Sequence, residues 1–88
     1  MHIIFDPTKG EINRQKHDLS LAEAASIEWD TALERLDDRF DYGEDRYLDL
    51  GFIGNRLYCV EYADKGDFRR IISLRRANSR EYMKYENS

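Results

Sequence analysis

The second half of the chain alternates apolar and polar residues with a period of two, and this pattern restricts the fold more than any other feature. Leu50 and Phe52 have polar or small neighbours, which is typical of a strand with one buried face. Gly54-Asn55 then predicts a two-residue hairpin turn, because glycine tolerates the positive φ that such a turn needs. The turn sets a register in which Phe52 faces Leu57 and Leu50 faces Cys59.

A third strand is expected to extend this hairpin into a meander. Residues 63–67, ADKGD, predict a second turn, and the following FRRIISL predicts a strand. With a five-residue turn, Glu61 lies opposite Arg69, and Arg70 lies on the other face of the sheet. A shift of one residue in this register would exchange the two faces of the last strand. The face expected to carry Arg70 also carries three tyrosines: Tyr47, Tyr58 and Tyr62.

The N-terminal region predicts a strand and two helices. HIIF at 2–5 is a short apolar run, typical of a buried strand. Asp6-Pro7 predicts the start of a helix that continues to about His17, since Asp6 can cap it and proline suits the first turn. SLAE at 20–23 has the form of a capping box and predicts a second helix to about Ile27.

The remaining segments complete an α+β prediction. Residues 28–45 are acidic and predict a connecting region with one short strand near 32–36. A last helix is expected over 79–86, capped by Asn78 or Ser79. The expected fold is an antiparallel sheet, made of the N-terminal strand and the three-stranded meander, with two N-terminal helices and one C-terminal helix. The length indicates a single domain over 1–88.

Charge is distributed unevenly along the chain. The formal net charge is −4, yet residues 69–84 contain one acid, Glu81, among five arginines and a lysine. Residues 23–50 are predominantly acidic. Such a basic segment is expected to bind an anion. The alternative is that the two segments pair with each other in the fold.

Cysteine content and hydropathy restrict the class of protein. Cys59 is the only cysteine, so neither an internal disulfide nor a cysteine-based zinc site is expected. No apolar run is long enough to cross a membrane, and the N-terminal residues do not resemble a signal peptide. A protein of the cytoplasm, without membrane contact, is the natural expectation. Motifs for a metal, a cofactor or nucleotide triphosphates are not found.

Arginines after the last predicted strand are candidates for phosphate binding. Arg75, Arg76 and Arg80 span the end of that strand and the start of the last helix. Guanidinium groups there can hold a phosphate and stabilise the charge that it gains during reaction. Lys16 and His17 are candidates for charge stabilisation and proton transfer. The alternative for these two is a structural role, since cations stabilise the last turn of a helix.

Two further groups of residues are compatible with RNA chemistry. The tyrosines of the meander, with Arg70 among them, resemble surfaces on which single-stranded nucleic acid stacks, although tyrosine also packs routinely in sheets. RFDYGEDR at 39–46 places Glu44 between Arg39 and Arg46. Glu44 is therefore either part of a structural ion pair or a base beside the phosphate site.

Three blocks of the sequence resemble the BrnT family of type II toxin-antitoxin toxins. They are FDPTKGEINRQKHDLSLAEA at 5–24, RFDYGEDRYLDLG at 39–51 and RIISLRRANSRE at 70–81. Two positions depart from the family pattern. Asp18 stands where the family usually has glycine, and YADKG at 62–66 replaces a threonine and an arginine that the family often carries.

The resemblance implies a RelE-like fold and an endoribonuclease that cuts RNA and so inhibits translation. It also implies a BrnA-type antitoxin that masks the active face and contacts operator DNA, so that DNA is bound only through the antitoxin. A non-catalytic RNA-binding or antitoxin-binding module is the alternative, as is a copy that has lost activity.

Together with the candidate residues, the resemblance predicts metal-independent RNA cleavage in which a ribose 2′-hydroxyl attacks the adjacent phosphate. The expected catalytic residues are Lys16, His17, Glu44, Arg46, Arg75 and Arg80. The expected RNA-binding residues are Tyr58, Tyr62, Arg70 and Arg76.

Overall fold

A five-stranded mixed sheet forms the centre of the molecule. The computed structural model describes residues 1–88, and its strands lie in the order β1-β5-β4-β3-β2. The strands are β1 (His2–Ile4), β2 (Leu36–Asp37), β3 (Arg46–Ile53), β4 (Arg56–Lys65) and β5 (Phe68–Arg76). The α+β class is confirmed. The expectation of a purely antiparallel sheet is wrong, because β1 pairs in parallel with β5. The chain between them forms the long crossover that parallel strands require.

Two α-helices flank the sheet, as their capping residues predict. Helix α1 spans Pro7–His17, and the Asp6 side chain accepts a hydrogen bond from the Thr8 amide at 2.9 Å. Helix α2 spans Ser79–Glu86 and begins with a capping box between Asn78 and Glu81. Both predicted ranges are confirmed, because each depends on hydrogen bonds between residues close in sequence.

The second predicted helix differs in type from a regular α-helix. Leu21–Ser26 forms a 3-10 helix, and a further 3-10 turn spans Trp29–Thr31. The Ser20 side chain accepts from the amide of Ala22 rather than from that of Glu23. The expected capping box is therefore not formed, although Ser20 is the N-cap as predicted.

Asp18 ends α1 in a left-handed backbone conformation. Its φ is 57° and its ψ is 38°, a region that glycine enters without strain and aspartate tolerates better than most residues. Glycine, which the family indicated by the resemblance usually carries at this position, adopts this conformation freely. The Asp18 amide donates to the Arg14 carbonyl at 2.9 Å and so closes the helix.

The register of the meander agrees with the sequence prediction in one hairpin and not in the other. In the β3–β4 hairpin, Phe52 pairs with Leu57 as expected. Between β4 and β5, the turn has only two residues, 66–67, and a β-bulge lies at Glu61 and Tyr62. Glu61 consequently pairs with Ser73 rather than with Arg69. The two-residue turn pairs Arg69 with Asp64, so the faces of β5 are exchanged relative to the prediction over residues 68–71. The bulge adds one residue to β5, at Ile72, and this restores the predicted faces from Ser73 onward.

The two faces of the sheet are covered differently. On one face, the 3-10 helix Leu21–Ser26 packs over a core cluster that includes Val60, Tyr62 and Leu74. On the other face, a smaller cluster around Leu57 packs against tyrosines of α2. Helix α2 covers only part of this second face. The remainder is available to form a site.

The larger core contains a buried carboxylate. Asp49 is 3% exposed, and both of its oxygens lie 3.0 Å from the Tyr62 hydroxyl, which donates to the carboxylate. The guanidinium of Arg69 lies 4.1 Å from the centroid of the Tyr62 ring. Burial raises the pKa of Asp49 from 3.8 to about 6, and the hydrogen bond from Tyr62 opposes this only in part.

Replacing Asp49 with asparagine is expected to stabilise the protein at pH 8 but not at pH 3. The folded state binds a proton at Asp49 more tightly than the unfolded chain does, so this contribution to stability is complete below 3.8 and is lost as pH rises through about 6. The stabilisation by Asp49→Asn therefore differs between pH 8 and pH 3 by about 3 kcal/mol at most. Urea unfolding of wild type and Asp49→Asn at both pH values measures it. A stability difference that does not vary with pH would contradict the prediction, and Asp38→Asn is the exposed control.

Candidate active site

A cavity of about 360 Å³ lies where α1 meets the uncovered face of β4 and β5. Its lining carries one carboxylate among several cationic groups and one imidazole. Because cations predominate and the cavity is open, an anion is the ligand that this site favours. The ionisable side chains that line it are Lys9, Lys16, His17, Arg39, Cys59, Glu61 and Arg75.

A single buried asparagine attaches α1 to the edge of β5. Asn13 is 3% exposed. Its Nδ2 donates to the carbonyls of Leu74 at 2.9 Å and Leu19 at 3.0 Å, and its Oδ1 accepts from the Leu74 amide at 2.9 Å. Since β1 pairs with β5 only as far as Arg70, the Asn13 amide takes the position of a strand partner further along. One turn later, at i+3 and i+4, α1 brings its lysine and histidine to the cavity.

Arg75 enters the cavity from β5 and is held in a fixed orientation. Its two terminal nitrogens donate to the two carboxylate oxygens of Glu81, each at 2.8 Å. Glu81 also accepts from the Asn78 amide at 2.9 Å. These bonds to Arg75 lower the pKa of Glu81 to about 2. The side chain of Arg75 remains 37% exposed, so one edge of the guanidinium can still contact a ligand.

His17 faces the same cavity from α1. Partial burial lowers its pKa below 6.5, and the positive charges of Arg75 and Lys16 lower it further. The effect of Arg75 reflects the proximity of two residues that are 58 positions apart in sequence. The imidazole is therefore predominantly neutral in the empty cavity at pH 7.

Glu61 is a site residue that sequence reasoning missed. Its side chain is 12% exposed, and the Ser73 hydroxyl donates to it at 3.4 Å. Burial raises the pKa of Glu61, and the nearby carboxylate of Asp37 adds to the effect. A signal was present in the alternating pattern, because Glu61 continues the series Leu57 and Cys59 on a face that is otherwise apolar.

Cys59 lies on the floor of the cavity but is not suited to nucleophilic chemistry. It is 2% exposed. Burial raises the pKa of its thiol to about 11, so the thiolate is scarce near neutral pH. The sulfur therefore serves as part of the apolar floor.

The predicted group around Glu44 forms a separate ion-pair network beside the cavity. Arg46 donates to Glu44 at 3.1 Å, and Arg70 contacts the same oxygen. Partial burial opposes ionisation, but these hydrogen bonds outweigh it and lower the pKa of Glu44. Glu44 does not line the cavity. Arg46 lies 3.8 Å from Glu61 and so connects the network to the cavity edge.

The structure does not bring the predicted tyrosines to an RNA-accessible face. Tyr62 is 0% exposed, and its ring packs edge-on against Trp29, with centroids 5.4 Å apart. Tyr58 is partly buried against the same cluster. The expectation that Tyr58 and Tyr62 share a face with Arg70 is wrong, because the two-residue turn between β4 and β5 places Arg69 on that face and the 3-10 helix covers it.

The last two predicted arginines lie outside the cavity. Arg76 and Arg80 are exposed, and neither contributes to the cavity lining. No group of three or more His, Cys, Asp or Glu side chains is placed to hold a metal ion. None of the helices is long and apolar enough to cross a membrane.

An α+β fold whose cavity combines several cationic groups with one imidazole and one largely buried carboxylate defines a protein suited to bind an anion and to transfer protons. Residues 5–81 match the family described as "Ribonuclease toxin, BrnT, of type II toxin-antitoxin system". Since the match covers most of the chain, the protein belongs to the BrnT family and is a ribonuclease toxin. An RNA target and a protein antitoxin partner follow from this family. No curated protein matches the chain.

Proposed function

We propose that the protein cuts RNA without a metal ion, by attack of a ribose 2′-hydroxyl on the adjacent phosphate, within the cavity between α1 and β5. One observation carries this proposal. Lys16 and His17 of α1 line the same cavity as Arg75 of β5. These groups can bind a phosphodiester, stabilise its additional negative charge and transfer protons.

The proposed roles follow from the chemistry of each side chain. Arg75, oriented by Glu81, donates hydrogen bonds to the non-bridging oxygens of the phosphate as charge develops on them. Lys16 adds a mobile positive charge at the same position. His17 is the group that can exchange a proton near neutral pH. Arg46 and Glu44, in the ion-pair network beside the cavity, stabilise that side of it. Arg70 extends the positive surface along the RNA backbone.

Cleavage is expected to continue in EDTA and to stop when the ribose at the cleavage site lacks its 2′-hydroxyl. The chain's own cations supply the charge stabilisation, whereas the 2′-oxygen is the attacking atom. Gel analysis of a short RNA oligonucleotide and its single 2′-deoxy counterpart measures this, and mass spectrometry should find a 2′,3′-cyclic phosphate. Cutting of the deoxy oligonucleotide at the same bond, or loss of all cleavage in EDTA, would refute the proposal.

We also propose the finer features that the family suggests. The fold is RelE-like, the whole of 1–88 forms one domain, and the enzyme acts in the cytoplasm on RNA used in translation. A BrnA-type antitoxin covers the cavity. The net charge of −4 disfavours unaided binding to DNA, so operator DNA is contacted only through the antitoxin.

A further inference from the structure

We propose that Glu61 is the catalytic residue that takes the proton from the attacking 2′-hydroxyl, and that His17 donates a proton to the leaving 5′-oxygen. This inference rests on the proposed RNA cleavage and assigns the two proton transfers that such cleavage requires. Glu61 is the only carboxylate among the residues that line the cavity.

The strand order places Glu61 and His17 on opposite sides of the phosphate site. Glu61 belongs to β4, which is the neighbour of β5 on one side. Helix α1, with His17, lies along the other edge of β5, where Asn13 bonds the backbone of Leu74. Arg75 lies between them on β5. In-line displacement at phosphorus needs the attacking and leaving oxygens on opposite sides, and this arrangement provides a proton acceptor on one side and a donor on the other.

Glu61 differs from other carboxylates of the protein because no arginine donates hydrogen bonds to it. Asp37, Asp64 and Glu81 each accept two hydrogen bonds from one arginine. Glu61 has no such partner, and its nearest cation is Arg46 at 3.8 Å. A carboxylate held by an arginine is a weak base, because the pair favours the ionised form. Among the carboxylates at the cavity and around it, Glu61 is therefore the one that can accept a proton.

Charged groups on several elements of the fold shift the pKa of Glu61. Burial and the carboxylate of Asp37 raise its pKa, and Arg46 and Arg39 oppose the rise. Asp37 itself stays ionised because Arg39 holds it, with Tyr42 donating to it at 3.0 Å. A base whose pKa is moved toward the working pH transfers protons more effectively.

Atoms and charges balance in the proposed step. The 2′-oxygen bonds to phosphorus while its proton passes to the Glu61 carboxylate. The bond from phosphorus to the 5′-oxygen breaks, and the His17 imidazolium supplies the proton for the new 5′-hydroxyl. The phosphate's negative charge offsets those of Arg75 and Lys16, which favours the imidazolium form. Proton exchange with water then restores both groups.

The pH dependence of kcat/KM tests this assignment. Glu61 must be ionised, so the rate rises through its pKa, which lies above 4.5. His17 must be protonated, so the rate falls above its pKa, which lies below 6.5. The wild-type profile should therefore be bell-shaped, with its maximum between these values. Glu61→Gln should lower the maximum by about 100-fold or more and lack the rising limb. Glu86→Gln, on the exposed part of α2, is the matched control and should reproduce the wild-type profile.

Two further measurements distinguish a failure of the role assigned to Glu61 from a failure of the proposed RNA cleavage. Binding of the single 2′-deoxy oligonucleotide should not weaken in Glu61→Gln, because the substitution preserves shape and removes a proton acceptor whose negative charge does not attract the phosphate. Carbon-13 NMR titration of Glu61 in the wild-type protein should give the same pKa as the rising limb of the rate profile. This test uses only the wild-type protein, so it does not depend on whether the variant folds. Retention of wild-type activity and of the rising limb in a folded Glu61→Gln overturns the role of Glu61 alone. Cleavage of the 2′-deoxy bond overturns the proposed function itself.

Discussion

Replacing Arg75 with alanine is expected to slow RNA cleavage by about 30-fold to nearly 1000-fold. This range corresponds to roughly 2 to 4 kcal/mol of lost transition-state stabilisation, the usual effect of removing one preorganised donor. Arg75 has this importance because Glu81 fixes the orientation of its guanidinium in the cavity. Single-turnover cleavage of the RNA oligonucleotide measures the loss.

Matched variants separate catalysis from folding and from general charge. Arg56→Ala removes an exposed arginine near the β3–β4 turn and should leave the rate unchanged. Arg80→Ala should cause a smaller loss than Arg75→Ala, since Arg80 lies outside the cavity. Thermal unfolding must show that the Arg75 variant is folded. A folded Arg75→Ala protein with wild-type activity would contradict the assignment.

Replacing Asn13 with alanine is expected to destabilise the protein by about 3 to 5 kcal/mol. The substitution removes three buried hydrogen bonds and leaves backbone groups of Leu74 and Leu19 without partners. That loss is a large fraction of the roughly 5 to 15 kcal/mol by which small domains are stable. Urea unfolding measures the change in the free energy of unfolding.

Gln15→Ala is the control for this prediction, because it lies on α1 but is exposed. It should change stability by no more than about 0.5 kcal/mol. Where Asn13→Ala remains folded at low temperature, cleavage should also fall, since α1 is no longer held against β5. Equal stability of the two variants would show that α1 is attached in another way.

Local chemistry explains which parts of the fold could be predicted from the sequence. The Gly54-Asn55 turn determines the β3–β4 register, and the Asn78 capping box determines the start of α2. Each depends on residues a few positions apart. The parallel pairing of β1 and the bulge at Glu61 depend on contacts between distant parts of the chain. No local pattern encodes those contacts, so the sequence did not predict them.

The candidate site, like the fold, was predictable from the sequence only in part. Lys16, His17 and Arg75 were identified from residue type, and the structure brings them to one cavity. The sequence suggests Glu44 as a candidate base because arginines flank it, and Glu61 is not among its candidates. Those arginines occupy its oxygens in the fold. For the tyrosines the sequence leaves both a binding face and ordinary sheet packing open, and the structure buries Tyr62 beneath the 3-10 helix.

The central claim is that Arg75, Lys16 and His17 converge on one RNA phosphodiester. The most direct test is a crystal structure of the protein with the uncleaved 2′-deoxy oligonucleotide. We predict that the phosphate at the cleavage site lies within hydrogen-bonding distance of the Arg75 guanidinium, with Lys16 and His17 beside it. A phosphate bound elsewhere on the surface, with the cavity between α1 and β5 filled only by solvent, would contradict the claim.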